Sequence, residues 1–367
     1  MYWKRGTVTR QAHVDIPDGT VEEEFGRRGF FGRVSHLYRS EAPVGWTSIE
    51  GDCRPEALNL YALPGLDADD YLEGRIAFLQ NADVRISFAR VTAPMDYHFR
   101  NADGDELLFV HRGVGRIETD FGPLNYEKGD YLLIPRGTVY RLAPVEPTDL
   151  LITESADELE VPDRGIVGKH ALFDMEVVNV PTPEPPTPEP GRTEWALKIQ
   201  RESRVTTVTY PFNPINTVGW RGDLSVWQLN LRDIRPILSE RYHLPPSAHA
   251  TFLTRSAVVC SFLPRGLETG DPGALKVPFY HANIDFDEVL FYHDGDFFSR
   301  EGIDAGMVTF HPQGIHHGPQ PGAVNAAEGK ERTNEKAVMI DTRRPLHLTE
   351  AGRAACNPTY WKSWGAA

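Results

Sequence analysis

The chain has 367 residues, 40% of them hydrophobic and 25% charged, with a formal net charge of −14. That length supplies core for one large or two medium domains, and the composition is that of a soluble globular protein. The acidic balance argues against a nucleic-acid partner, because phosphate binding needs clustered Lys and Arg.

No apolar run reaches the roughly 18 residues of a spanning helix, so no membrane role is expected. The N-terminal stretch MYWKRGTVTRQAHVDIP has no apolar core of the kind that directs secretion. Cys53, Cys260 and Cys356 are widely spaced and form neither a CxxC pair nor a disulfide framework. Reduced thiols and a cytoplasmic location are the expectation.

In chain order, the predicted elements are nearly all strands. DVRISFARV, ELLFVHRGVGRIET, DYLLIPRGTVYRL and DLLITES come first. SRVTTVTYPF, AVVCSFLP, VLFYH, GMVTFHP and KAVMIDTRRPL follow. Each is rich in Val, Ile, Phe, Tyr or Thr and is bounded by Gly, Pro, Asp or Asn, which predicts an all-β sandwich or barrel. Between the two groups lies VPTPEPPTPEPGR, residues 180–192. Proline removes amide donors and favours polyproline II, so this stretch reads as an extended linker.

The two groups share a motif. Glu106 is followed by Gly113, and Gly129, Pro135, Gly137 and Tyr140 come next. Glu288 and Gly295, then Gly306, Pro312, Gly314 and His317, repeat those intervals. The pattern resembles the cupin superfamily, small double-sheet barrels of jelly-roll type. It predicts an all-β bicupin, with two cupin (jelly-roll) β-barrel domains in one chain. The expected division is 1–178, 179–192 as linker, and 193–367 as the catalytic domain. The first copy keeps His98 and Glu106 but has Tyr140 where the last His belongs, so it is expected to be structural and metal-free.

In the second copy, His281 precedes Glu288 by seven residues. On one straight strand that offset would put the two side chains on opposite faces. A hairpin turning at ANIDF, with Asn283 and Asp285 as turn residues, is therefore expected. Together with His317 they make two imidazoles and one carboxylate, the ligand set of non-haem Fe(II) oxygenases with open positions for substrate and O₂. His316 adjoins His317 and should face the other way. His311, on the preceding strand, is a candidate to contact a ligand or the substrate, and His293 reads as structural.

Wider patterns resemble the homogentisate 1,2-dioxygenases. They are PFNPINTVGWRGD (211–223), FLTRSAV (252–258), VPFYHANIDFDE (277–288), HPQGIHHGP (311–319) and MIDTRRPLHLTEAGRAACNPTYWKSW (339–364). NADGDELLFVHRG (101–113) and GDYLLIPRGT (129–138) add to them from the first half. The resemblance implies Fe(II) on His281, Glu288 and His317, with a small aromatic hydroquinone and O₂ as reactants. Homogentisate would be opened to maleylacetoacetate, a step of aromatic amino acid catabolism, by a trimer or hexamer. One departure stands out: the family's Trp-His-Gly is here Trp220-Arg221-Gly222. Arginine stays protonated and cannot act as a general base, although it can bind a phenolate or carboxylate. The resemblance thus leaves Arg221, His311 and His316 as catalytic candidates. Arg221, Arg300, Phe297 (where the family has a tyrosine) and Arg344 are the substrate-binding ones. Gentisate or a substituted hydroquinone, a different cupin metalloenzyme, and a binding bicupin without activity are the alternatives.

Overall fold

The strand Asp105–Arg112 shows how the sequence assigns its faces. Leu107 and Phe109 enter one buried cluster and Leu108 and Val110 another, as a period of two requires. Apolar residues at successive positions mean that both faces of the strand are covered. The same alternation recurs in Asp130–Ile134 and in Asp287–Asp294. The computed structural model describes residues 3–297, 300–323 and 329–365.

Among the described residues these strands form an all-β structure with four sheets. A seven-stranded sheet runs in the order Trp227–Asn230, Asp130–Ile134, Asp105–Arg112, Thr148–Ser155, Val84–Val91, Ile76–Gln80, His347–Leu348. A six-stranded sheet runs Arg204–Tyr210, Trp195–Arg201, His98–Asn101, Val139–Pro144, Gly115–Thr119, Leu124–Tyr126. The two enclose Phe99, Leu108, Ile117, Leu132 and Tyr140 as the first barrel. A second six-stranded sheet runs Ala250–Leu253, Ala257–Phe262, Lys336–Thr342, Asp287–Asp294, Met307–His311, Glu56–Asn59. With the three-stranded sheet Tyr280–Asn283, Val21–Gly26, Val34–Arg39 it makes the second barrel. The larger sheets of the two barrels meet through Phe88, Phe109, Tyr131, Phe252 and Phe291, with Phe88 and Phe291 ring centroids 6.3 Å apart.

The sheets do not divide at the proline-rich segment. Val21–Gly26 pairs in parallel with Tyr280–Asn283, and Glu56–Asn59 pairs with Met307–His311. In the other direction, Trp195–Arg201 joins His98–Asn101 and Trp227–Asn230 joins Asp130–Ile134. The expected division into 1–178 and 193–367 therefore does not follow the sheets, because each barrel is completed by strands from the other half of the chain. Residues 180–192 carry no strand or helix, turn at 190–191, and lie against the first barrel rather than free of it. The Trp220 indole N–H donates to the Pro181 carbonyl at 3.0 Å, and Arg116 pairs with Glu184 at 2.6 Å.

The expected hairpin is not formed either. The chain does turn at Ile284–Asp285, but Tyr280–Asn283 and Asp287–Asp294 enter different sheets. In the first barrel, Glu106 pairs with the buried guanidinium of Arg75, which also reaches Glu154 at 3.1 Å. The Tyr140 hydroxyl meets that of Tyr71 at 3.1 Å. His98 is buried among the fields of Arg141, Arg192 and Glu189 instead.

Candidate metal centre

Strand parity puts Glu288 on the face of Leu290 and Tyr292, inside the second barrel, while Val289 and Phe291 face the first. His311 is its cross-strand partner, and the two are joined at 2.8 Å through His311 Nδ1 and Glu288 Oε1. After His311 the chain turns through Pro312-Gln313-Gly314. Gly314 has a φ of +95°, which a side chain would resist. Asp287 anchors the turn by accepting the Gln313 backbone N–H at 2.8 Å.

Beyond the turn, His317 and His281 form an antiparallel bridge, each backbone N–H donating to the other's carbonyl at 3.0 and 3.2 Å. Residues directly opposite share a face, and the two imidazole centroids are 4.2 Å apart. Glu288 Oε2 lies 3.5 Å from His281 Nε2 and 3.4 Å from His317 Nε2. Those contacts are too long for well-made hydrogen bonds. The three donor atoms lie within 4.8 Å of one another, and all three residues are buried.

Among the described residues, His281 Nε2 and both ring nitrogens of His317 have no hydrogen-bond partner. Buried polar atoms left without partners are costly. Two imidazoles and a carboxylate, with no fourth donor in the group among the described residues, are the chemistry of an open divalent transition-metal site. The residues present thus fit a metal ion.

The electrostatics agree. Burial alone would raise the Glu288 carboxyl, but His317, His281 and His311 outweigh it and hold it well below the usual carboxylate range. Burial lowers His281, helped by His317 and opposed by Glu288. Burial also pushes His311 down to about 3 against the pull of Glu288. His311 is therefore neutral, and a hydrogen bond to a carboxylate requires its proton on Nδ1.

A cavity opens beside Glu288, lined among others by His243, His249, Arg265, Phe279 and Arg300. Arg300 Nη2 is 3.9 Å from Glu288 Oε1, and its Nη1–H donates to the Gly318 carbonyl at 3.2 Å. Arg265 is buried, with Nη1 lacking a hydrogen-bond partner. Burial lowers His243 to about 4 and His249 to about 3, so both imidazoles are neutral.

The sequence candidates thus separate. His281, Glu288, His317, His311 and Arg300 come together. His316 turns to Glu23 Oε1 at 2.9 Å. Phe297 packs on Tyr292, ring centroids 5.0 Å apart, within the barrel core. Arg344 is 64% exposed and pairs with Asp83 at 3.2 Å. Arg221 is exposed in an irregular segment whose Trp220 docks on the first barrel. None of these four lines the cavity. Sequence reasoning missed Arg265, His243 and His249. They sit in the largely irregular stretch between Asn230 and Tyr280, where no motif spacing marks them.

Comparison with known proteins adds to the geometry. A family model described as "Homogentisate 1,2-dioxygenase N-terminal" matches residues 61–231. A provisionally named dioxygenase of Saccharolobus solfataricus is 33% identical over 99% of this chain and 98% of its own length. A homogentisate 1,2-dioxygenase of Bradyrhizobium diazoefficiens is 26% identical over 70% of this chain, and the match spans 59% of that enzyme. Among solved structures, an oxalate decarboxylase of Bacillus subtilis overlays with a TM-score of 0.37 and 11% identity over 84% of this chain and 81% of that one.

Proposed function

Because the chain belongs to the homogentisate 1,2-dioxygenase family, we propose that it is an Fe(II)-dependent dioxygenase that opens the ring of a hydroquinone acid, homogentisate first among them, to give maleylacetoacetate. The observation that carries this reading is the convergence of the buried side chains of His281, Glu288 and His317 beside a cavity lined by Arg265, Arg300, Phe262 and Phe279 together with Glu335 and aliphatic side chains. His281, Glu288 and His317 would hold the iron. When bound, the metal would supply the Lewis-acid and redox chemistry that brings O₂ into reaction with an electron-rich ring.

The chain's own residues would do the rest. His311 donates to Glu288 and fixes the orientation of that carboxylate, as outer partners of metal ligands do. Arg265 offers Nη1 to a substrate carboxylate, a charge-assisted pairing favoured in a dry site. Arg300 adds positive charge beside Glu288. Phe279 gives the ring an apolar wall. The neutral imidazoles of His243 and His249 can accept a hydrogen bond from a phenolic hydroxyl, a contact for which Arg221 is both chemically unsuited and badly placed. Enclosure of these groups favours orientation and excludes water.

The Trp220-Arg221-Gly222 segment favours a second reading, in which the substrate is gentisate or another substituted hydroquinone. O₂ uptake by Fe(II)-loaded protein with homogentisate, gentisate and unsubstituted hydroquinone in parallel decides between them. The first reading expects homogentisate to be turned over fastest. Turnover of gentisate or plain hydroquinone with homogentisate inert would replace it with the second.

A further inference from the structure

A second group of metal-binding side chains lies in the first 36 residues. On Val21–Gly26, Glu22, Glu23 and Glu24 are all buried. Three consecutive buried carboxylates are costly unless each meets a cation or a set of donors. Glu23 pairs with Arg39 and His316 on one face. Glu22 and Glu24 share the other face, and Glu22 is satisfied by His13, whose backbone N–H reaches both carboxylate oxygens at 3.1 Å. Glu24 Oε2 lies 3.6 Å from His13 Nε2, and among the described residues it has no hydrogen-bond partner.

Glu24 is the cross-strand partner of His36. His36 Nε2 likewise has no partner. The rings of His13 and His36 meet edge to face with centroids 4.7 Å apart. One donor atom from each of His13, Glu24 and His36 lies within 4.8 Å of the other two. The side chains of His13 and Glu24 are 9% and 7% exposed. His13 has a φ of +67°, a region that non-glycine residues rarely adopt. Its Nδ1 lies 2.7 Å from Glu22 Oε1. No aligned hydrogen bond joins the two, but a carboxylate this close to Nδ1 favours the tautomer that leaves Nε2 free to bind a metal, the usual support for a metal-bound histidine.

We propose that His13, Glu24 and His36 form a second divalent-metal site, of the Zn²⁺ class, separate from the one at Glu288. Two imidazoles and a carboxylate match that class of ion. Its two positive charges would balance Glu24 and Glu22 together. Phe279 stands between the centres, its ring 6.1 Å from that of His13 and 4.9 Å from that of His281. A surface cavity lined by Gln11, His13, Arg241 and Asp271 reaches His13 from solvent. The site would close the chain between residues 13 and 36 and so brace the hairpin against which the His281 strand pairs.

The test is metal stoichiometry. Chelator-stripped full-length protein is dialysed against Zn²⁺ alone and its metal content is measured. Two equivalents are expected in the parent protein and one in His36→Phe, which keeps a half-buried ring but offers no ligand. Glu288→Ala should also retain one, and the combined variant none. A parent protein that takes up a single equivalent, retained in His36→Phe, would overturn the proposal. So would two equivalents retained in His36→Phe. A single equivalent that survives Glu288→Ala but not His36→Phe would keep this site and count against the one at Glu288. If His36→Phe does not fold, Glu288→Ala decides: one equivalent retained there supports the site, and none overturns it.

Discussion

At the residue scale, the centre at Glu288 makes demands that single substitutions can probe. Glu288 is the contact shared by His281, His317 and His311. His311→Phe removes the group that orients it and should weaken metal binding by about 10–100-fold, read by competition with a chelating dye. Arg265→Gln removes the proposed partner of the substrate carboxylate. A charged hydrogen bond of about 1.5–3 kcal/mol is at stake, so KM for homogentisate should rise roughly 10–100-fold. Any turnover of plain hydroquinone, which has no carboxylate, should be unchanged, so an equal loss on both substrates would contradict the role. The three candidate ligands could be picked out in the sequence because motif intervals and a turn mark them, and the structure brings them together. Arg265 could not, because it reaches the cavity through an irregular path that leaves no period to read.

Elements carry a different lesson. Phe291 faces the other barrel and is fully buried against Phe88, Phe109 and His111. Phe291→Ala should cost about 3–5 kcal/mol of stability, seen as a lower denaturant midpoint. Strands and their faces could be read from alternation and from Val, Ile and Phe content. Partner strands could not, because pairing across hundreds of residues is set by the whole fold and not by local pattern. His281 illustrates this. Its turn to Glu288 was legible, but its neighbour is Val21–Gly26, not the strand that carries Glu288. Removal of residues 1–39 strips two of the three strands from its sheet. Such a truncation should lose metal at Glu288 although no proposed ligand there is deleted, and retention of full binding would contradict this dependence.

For the whole molecule, exchanged strands couple the two barrels. Trp195–Arg201 and Trp227–Asn230 belong to the first barrel's sheets, and Glu56–Asn59 belongs to the second's. The two copies of the motif announced two barrels, but the exchange was hidden because it arises from connections and not from the motifs. Buried histidines add a pH dependence. Burial lowers His98 and His111 to about 4 each, against about 6.5 in an unfolded chain. Between those values the unfolded state binds more protons, so stability rises with pH across the window and is lost as pH falls from about 6.5 toward 4. The urea midpoint should therefore drop between pH 7 and pH 5. In His98→Phe the drop should be smaller, and an unchanged drop would remove His98 from the account.

The most direct measurement joins iron content to O₂ consumption in one preparation. Protein loaded anaerobically with Fe(II) is given homogentisate and then a known amount of O₂, beside Glu288→Ala treated the same way. The account predicts bound iron and one O₂ consumed per ring opened in the parent protein, with both lost in Glu288→Ala. Bound iron without O₂ uptake on homogentisate or any other hydroquinone, or full activity in Glu288→Ala, would contradict it.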